Sequence, residues 1–131
     1  MTPLAAELAD DLLERFLRYV RIDTQSEAGV DASPSTEKQL ELARLLREEL
    51  DEIGLEDVRM DEYGYVYGSL PGSDSAPRIG LIAHIDTSPD VTGAGVNPQV
   101  QRDYDGGRIE LTGDPGVVLD PDELPLLQKK V

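Results

Sequence analysis

The stretch RIGLIAHID, residues 78–86, is a nearly continuous apolar run between Arg78 and Asp86. It follows PGSDSAP, residues 71–77, whose glycine, prolines and serines are typical of a turn. A short apolar run bounded by turn signals is typical of a strand that helices cover on both faces. Residues 79–86 are therefore predicted to form the central strand of an α/β sheet.

An amphipathic helix is predicted near the amino terminus. In LADDLLERFLRYVRI, residues 8–22, apolar side chains recur at helical spacing. Thr2 and Pro3 fit a helix cap and a first-turn proline. We expect the apolar face of this helix to pack on the sheet.

A second amphipathic helix is predicted after the polar stretch that follows. Ser33 precedes Pro34 as a start signal, and apolar residues then recur on one face over residues 42–53. Gly54 fits the position just past the helix end, where glycine adopts a left-handed backbone at low cost. This helix is also expected to pack on the sheet.

Three further segments predict strands: DVRM at residues 57–60, YGYVYGSL at residues 63–70 and a short strand at residues 109–111. Tyrosines at positions 63, 65 and 67 alternate along the second of them. Such a row can form a substrate platform or pack against a neighbouring layer. The alternation favours packing, and Tyr65 is expected in the core.

The charge balance disfavours two classes of partner. The chain of 131 residues has 27 acidic and 12 basic residues and a net charge of −15. Such a charge repels phosphate backbones and anionic lipid at long range. Neither nucleic acid nor a membrane is therefore expected as a partner, and the acidic side chains are interpreted mainly as a solvated surface.

Cysteine usage and hydropathy restrict the chemistry and the location. The sequence contains no cysteine, which excludes disulfides, cysteine-ligated zinc and a thiol nucleophile. No run approaches the roughly 18 apolar residues of a membrane span, and the first residues lack the basic start of a secretion signal. A soluble, cytoplasmic, single-domain protein is expected, and any metal must be held by His84 and carboxylates.

His84 is the sole histidine of the chain and lies two residues before Asp86. On a strand these side chains share one face and reach the strand end, where open α/β sheets bind ligands. A neutral imidazole is a common zinc ligand, and a carboxylate on its other ring nitrogen fixes its orientation. Asp86 could give that support or reach the metal itself. Because a lone histidine is also common as a structural or exposed residue, the motif by itself leaves both interpretations open.

Four segments together resemble the start of peptidase T, a family of tripeptide aminopeptidases. They are LLERFLRYVRIDTQSEAGV at residues 12–30, PSTEKQLELARLLREELDEIGL at 34–55, IGLIAHIDTSPDVTGAGVNPQV at 79–100 and YDGGRIEL at 104–111. HIDTSPD followed by GVNPQ is similar to that family rather than to its relatives in the di-zinc exopeptidase superfamily, which include aminoacylases and glutamate carboxypeptidases. The resemblance covers nearly the whole chain.

The resemblance implies a fold and a site. The fold is the amino-terminal half of a zinc-exopeptidase catalytic domain, a mixed α/β sheet flanked by helices, with residues 1–131 as a partial catalytic domain. His84 matches the family's first zinc-binding histidine, and Asp86 matches the neighbouring catalytic aspartate. For the complete enzyme the resemblance implies two zinc ions, a metal-activated water, and release of the N-terminal residue of a short peptide.

The chain departs from the family at its end, LPLLQKKV, residues 124–131. The resemblance implies that the other zinc ligands, the glutamate that acts as general base and a lid domain used for dimerisation lie further along. Glu110 and Glu123 lack the family's paired-glutamate context, so the base is assigned to neither, and the isolated chain is expected to be inactive. Two alternatives stay open: a related amide hydrolase such as a deacylase, and a truncated chain without catalysis.

Overall fold

Two α-helices, four short strands and one short 3₁₀ helix make up the regular structure of residues 3–113 and 116–128, the part of the chain that the computed structural model describes. This mixed composition confirms the predicted α/β class. The chain divides into two compact units, residues 1–96 and 97–131, which are described separately below. The helix cap predicted at Thr2 lies outside the described residues.

Helix α1 spans Pro3–Tyr19, which confirms the first predicted helix and its first-turn proline. Its apolar face does not pack on a sheet as expected, because Leu8, Leu12 and Phe16 along it are all exposed. Polar contacts described below hold its last turn against the second helix instead. No helix in the described residues is long and apolar enough to cross a membrane.

Helix α2 spans Gln39–Glu52 and begins later than the sequence signal at Ser33 and Pro34 predicts. The delay has a physical cause in the side chains just before the helix. The hydroxyl of Ser35 accepts a hydrogen bond from the backbone N–H of Glu27 at 3.1 Å, and the hydroxyl of Thr36 donates to the carbonyl of Gln25 at 2.8 Å. Because these contacts tie residues 35–36 to residues 25–27, the helix starts only after them.

The carboxyl end of α2 matches the prediction. Gly54 has φ +86°, and its N–H donates to the carbonyl of Asp51 at 3.0 Å. The next N–H, that of Leu55, donates to the carbonyl of Leu50 at 3.1 Å. This pair of bonds is the Schellman motif, in which glycine takes the left-handed position and two terminal carbonyls gain donors.

Strands β1, Glu56–Met60, and β2, Val66–Ser69, form an antiparallel hairpin. β2 lies within the predicted segment 63–70, and β1 covers the predicted segment 57–60 and one residue before it. The register shifts in β1 at a bulge, where Asp57 has φ +54°. The connecting turn is held by Asp61, which uses one carboxylate oxygen to accept the N–H groups of Tyr63 and Tyr65 at 3.0 Å each.

The small core of the first unit lies between α2 and this hairpin. Leu42 and Ala43 are its buried apolar residues among those described. Position 68 in β2 requires glycine because the Leu55 side chain packs closely against it. A Cβ added at Gly68 would lie 2.8 Å from Cδ2 of Leu55. Helix α2 therefore does pack on a sheet as predicted, although that sheet has only two strands.

The tyrosine row does not enter this core. Tyr63 and Tyr67 are exposed, and Tyr65 is 59% exposed. The prediction that Tyr65 packs in the core is therefore wrong. The turn built on Asp61 directs this part of the segment outward, so only residues from Val66 onward pair as a strand.

We expect Tyr65→Ala to change the free energy of unfolding by less than about 1 kcal/mol, because most of this side chain is already in water. Leu42→Ala is the matched control: the side chain is 7% exposed, and truncation in a core costs about 2–5 kcal/mol. Urea denaturation of both variants provides the measurement. Equal losses at the two positions would contradict the exposed placement of Tyr65.

The predicted central strand is the main correction. Residues 78–86 form no strand, and Leu81 and Ile82 are 95% and 100% exposed. A strand exists only where a neighbour completes its backbone hydrogen bonds, and within the described residues the segment gains one only after its end, at Thr87. The composition of this segment is that of a buried strand, but a strand also needs a neighbouring strand that completes its backbone hydrogen bonds.

The second unit contains a two-stranded antiparallel ribbon and a short 3₁₀ helix. Strands β3, Ile109–Glu110, and β4, Val118–Leu119, pair through Ile109 opposite Leu119. The first of them confirms the short strand predicted at residues 109–111, whereas β4 was not predicted. Arg108 and Asp120 form an ion pair of 2.5 Å beside the ribbon, and the 3₁₀ helix covers Pro125–Gln128.

Candidate active site around His84 and Asp86

His84 and Asp86 are in direct contact. Nδ1 of His84 lies 3.1 Å from a carboxylate oxygen of Asp86 and 2.9 Å from its backbone carbonyl. The spacing of two residues predicts this proximity, and it is found even though the surrounding segment is not a strand. The contact is local, so it does not depend on a sheet.

The contact determines which imidazole nitrogen carries the proton in the neutral ring. Both partners of Nδ1, a carboxylate and a carbonyl, are hydrogen-bond acceptors only. Nδ1 must therefore be the N–H donor, which leaves the lone pair of the neutral ring on Nε2. That nitrogen makes no hydrogen bond within residues 3–113 and 116–128, and the side chain is exposed. His84 thus presents an oriented ring nitrogen whose lone pair can bind a metal ion.

The backbone just after this pair is anchored to the loop that follows α1. The N–H of Thr87 donates to the carbonyl of Thr24 at 3.1 Å, and the N–H of Ser26 donates to the carbonyl of Thr87 at 3.0 Å. These two bonds make an isolated parallel bridge between Gln25 and Thr87. The side-chain amide of Gln25 adds a bond to the carbonyl of Pro89 at 3.0 Å. The loop therefore fixes the position at which the apolar segment ends.

A polar cluster of Asp23, Gln25 and Lys38 holds this loop in place. One carboxylate oxygen of Asp23 accepts a hydrogen bond from the backbone N–H of Gln25 at 3.0 Å. The other oxygen accepts a hydrogen bond from Nζ of Lys38 at 2.9 Å. The hydrogen bond from the Gln25 backbone has the largest effect in lowering the pKa of Asp23, and the hydrogen bond from Lys38 lowers it further. The carboxylate is therefore charged at neutral pH. Gly93 lies against this carboxylate, and a Cβ there would be 2.7 Å from its oxygen.

An open groove adjoins the pair. Its volume is about 860 Å³, and residues 81–86 are part of its lining. The exposed side chains of Tyr65 and Tyr67 and the apolar side chains of Leu46 and Leu50 also line it. A chemically mixed groove of this kind, with one oriented imidazole at its edge, can bind an uncharged or partly apolar chain.

The metal-binding capacity of the described residues is limited. Within residues 3–113 and 116–128, no group of three or more His, Asp or Glu side chains is placed to hold a metal ion. A catalytic zinc ordinarily has three protein ligands and a water. The pair fits one ligand and the carboxylate that orients it, and it does not make a complete site.

Sequence reasoning missed the loop at residues 23–26 and its partner Lys38. The contacts that give the loop its role join residues 61 and 64 positions apart. Local pattern carries no signal for such pairing, because the polar stretch DTQS is ordinary for a connection between helices. The close approach at Gly93 was a weak signal, since a glycine inside a loop can mark tight contact.

Comparison with known proteins adds an independent observation. The chain is 48% identical to the peptidase T of Bacillus pumilus over 124 residues, which cover 93% of this chain and 30% of that protein. It is 48% identical to the Geobacillus kaustophilus peptidase T over 122 residues, covering 92% and 30% of the two chains. The peptidase T of Desulfitobacterium hafniense is 52% identical over 118 residues, covering 88% and 28%.

The chain thus spans about 30% of the length of the curated relatives it matches. These similarities confirm the resemblance to the amino-terminal part of peptidase T. No family model matches the chain.

Proposed function

We propose, because this chain matches the amino-terminal part of peptidase T over 93% of its length, that it contributes to the catalytic site of a tripeptide aminopeptidase. A match of that extent includes residues 84–86. The observation that carries the proposal is the contact between Nδ1 of His84 and Asp86 within this matched region. It supports the roles that the resemblance gives to the two residues.

In this proposal His84 binds a zinc ion through Nε2. Asp86 holds the imidazole in the Nδ1–H tautomer and stabilises positive charge that develops on the ring. A zinc ion held there would supply Lewis-acid chemistry, namely activation of a water molecule and polarisation of the scissile carbonyl. No role as zinc ligand or general base is proposed for Glu110 or Glu123.

The groove beside His84 is proposed to receive part of a short peptide. Tyr65 offers a flat apolar face and a hydroxyl group, which can contact a peptide backbone and an apolar side chain at once. The acidic surface of the chain, with its net charge of −15, favours the protonated amino terminus of such a substrate by long-range attraction.

The proposal is tested with a chimera in which this chain replaces the matching part of the Bacillus pumilus peptidase T. We expect the zinc-loaded chimera to release the N-terminal residue of a tripeptide. Hydrolysis of N-acylated amino acids in place of tripeptides would favour the deacylase alternative. A chimera that folds by circular dichroism and hydrolyses neither substrate would show that the proposal is wrong.

We expect the isolated chain of 131 residues to hydrolyse no tripeptide and to bind zinc only weakly. It has one histidine, whereas a catalytic zinc ordinarily needs three protein ligands and the reaction also needs a base. The measurements are zinc uptake by equilibrium dialysis and release of amino acid from a tripeptide. Zinc-dependent turnover by the isolated chain, abolished by His84→Ala, would contradict this expectation.

A further inference from the structure

The peptide unit between Asp86 and Thr87 joins the loop at residues 23–26 to the imidazole of His84. Its carbonyl oxygen lies 2.9 Å from Nδ1 of His84, and its N–H donates to the carbonyl of Thr24 at 3.1 Å. A trans peptide unit is planar, and its N–H and C=O point in opposite directions. A partner that fixes the N–H therefore also fixes the direction of the carbonyl. The position of Thr24 thus determines where this acceptor meets the histidine ring.

Thr24 is held in place by the residues on either side of it. The carboxylate of Asp23 accepts hydrogen bonds from Nζ of Lys38 at 2.9 Å and from the N–H of Gln25 at 3.0 Å. Nζ of Lys38 also lies 3.4 Å from the side-chain oxygen of Gln25. Because Lys38 directly precedes helix α2, these contacts tie the loop to the start of that helix.

We propose that Asp23 and Lys38 are positioning residues for His84. Their ion pair fixes the loop, the loop fixes the peptide unit after Asp86, and that unit keeps the proton of the neutral imidazole on Nδ1. The inference rests on the proposed function, in which Nε2 of His84 binds zinc. A ligating imidazole needs an acceptor on its other nitrogen that holds the ring in one tautomer and one orientation.

The two acceptors of Nδ1 differ in how firmly they are held. The Asp86 side chain is 48% exposed, and its carboxylate can rotate about its own side-chain bonds. The carbonyl of the same residue belongs to a backbone unit that Thr24 anchors. The backbone acceptor is therefore the one through which residues distant in sequence can orient the ring.

NMR of the imidazole nitrogens in the full chain tests this coupling. The chain has a single histidine, so the ring signals need no assignment among several residues. Under alkaline conditions, where the ring is neutral, the two nitrogen shifts measure the ratio of the Nδ1–H form to the Nε2–H form. We expect the Nδ1–H form to predominate in the original chain. A ring that carries its proton mainly on Nε2 would overturn the proposal.

Lys38→Met removes the charge and keeps most of the side-chain stem. We expect the ratio of Nδ1–H to Nε2–H to fall by about threefold or more, as for the loss of one hydrogen bond of ordinary net strength. The amide of Thr87 should also exchange faster with solvent, because its acceptor is less well fixed. Lys38→Arg keeps the positive charge and should keep a ratio close to the original. Equal losses in Lys38→Met and Lys38→Arg would overturn the role of the ion pair.

Asp23→Ala should act in the same direction, and Asp120→Ala is its matched control. Asp120 also accepts the backbone N–H two residues later, that of Asp122 at 3.0 Å, and also pairs with a cation, Arg108 at 2.5 Å. It belongs to the second compact unit and has no contact with residues 23–26 in the described part of the chain. Asp120→Ala should therefore leave the tautomer ratio of His84 unchanged.

The remaining outcomes are distinct. Faster exchange at Thr87 with an unchanged tautomer ratio would overturn the coupling through the peptide unit. The proposal would also fall if Asp120→Ala changed the ratio as much as Asp23→Ala does, or if no variant changed it while each folds by circular dichroism. The Lys38 side chain is 36% exposed, so Lys38→Met is expected to leave the chain folded. None of these readouts uses zinc or peptide hydrolysis, so an inactive chimera would contradict the proposed function without altering this result.

Discussion

Replacing His84 with alanine in the peptidase T chimera is expected to lower tripeptide hydrolysis by about 100-fold or more and to remove one bound zinc ion. The loss of a residue that only supports a ligand typically costs about 10–100-fold in affinity or activity. A ligand contributes directly to metal affinity, so its loss should reach at least the upper end of that range. The measurements are zinc content by atomic absorption after dialysis and the rate of amino acid release.

Asp86→Asn separates the role of ligand from the role of support. Asparagine retains an oxygen for the Nδ1 contact but loses the negative charge, so we expect turnover to fall more than zinc content. Asp90→Asn is the matched control, because the Asp90 carboxylate accepts a hydrogen bond from the hydroxyl of Ser88, the Asp90 backbone N–H donates to that same hydroxyl, and no contact with His84 is found within the described residues. Full zinc content and normal turnover after His84→Ala would show that the ligand assignment is wrong.

The elements that the sequence predicts correctly depend on short-range interactions. Helix α1, the carboxyl end of α2 and strand β1 each follow from periodicity or from a glycine at a helix end. The contact of His84 with Asp86 is also local, since two residues separate the partners. For such features, the residues that indicate the structure and the groups with which they interact lie within a few positions of each other in the sequence.

The features that the sequence does not predict depend on distant partners. The apolar run at residues 78–86 has the composition of a buried strand, yet it lacks the neighbour that would make it one within the described residues. The loop at residues 23–26 binds Thr87 across 61 positions of sequence. Glu49, which lies on a helix among other acidic residues, gives no sign in the sequence of its unusual environment.

Glu49→Gln is expected to lower the stability of the contact between α1 and α2 by about 2–3 kcal/mol. The carboxylate is buried, and three donors from the last five residues of α1 bind it: Arg15 at 2.6 Å, Arg18 and the hydroxyl of Tyr19. Glutamine keeps the shape of the side chain but removes the charge and places an amide donor among these donors. The loss stays below that of a fully buried ion pair, because the Arg15 and Arg18 side chains are 28% and 51% exposed and retain water.

Hydrogen exchange of the α1 amides measures this contact, since the apolar face of the helix is exposed and its attachment depends on Glu49. Glu48→Gln is the matched control: it is the same change one position earlier, on a side chain that is 62% exposed and 3.9 Å from Arg47. It should alter stability by less than about 0.5 kcal/mol. Equal exchange rates in the two variants would contradict a role for Glu49 in holding α1.

The effect of Glu49 should also depend on pH in one direction. Burial raises the pKa of this carboxyl group, but the hydrogen bond from Tyr19, the charge of Arg18 and the hydrogen bonds from Arg15 and Arg18 outweigh burial, so the folded-state pKa lies below 4.5. A group whose pKa is lowered by folding stabilises the fold fully above its unfolded pKa and ceases to do so as the pH falls through the folded value. The difference between the original chain and Glu49→Gln should therefore be constant at neutral pH and shrink as the pH falls below 4.5. Because a neutral carboxyl and an amide interact similarly with the two arginines, a difference that grew on acidification would require a different group to hold the helix.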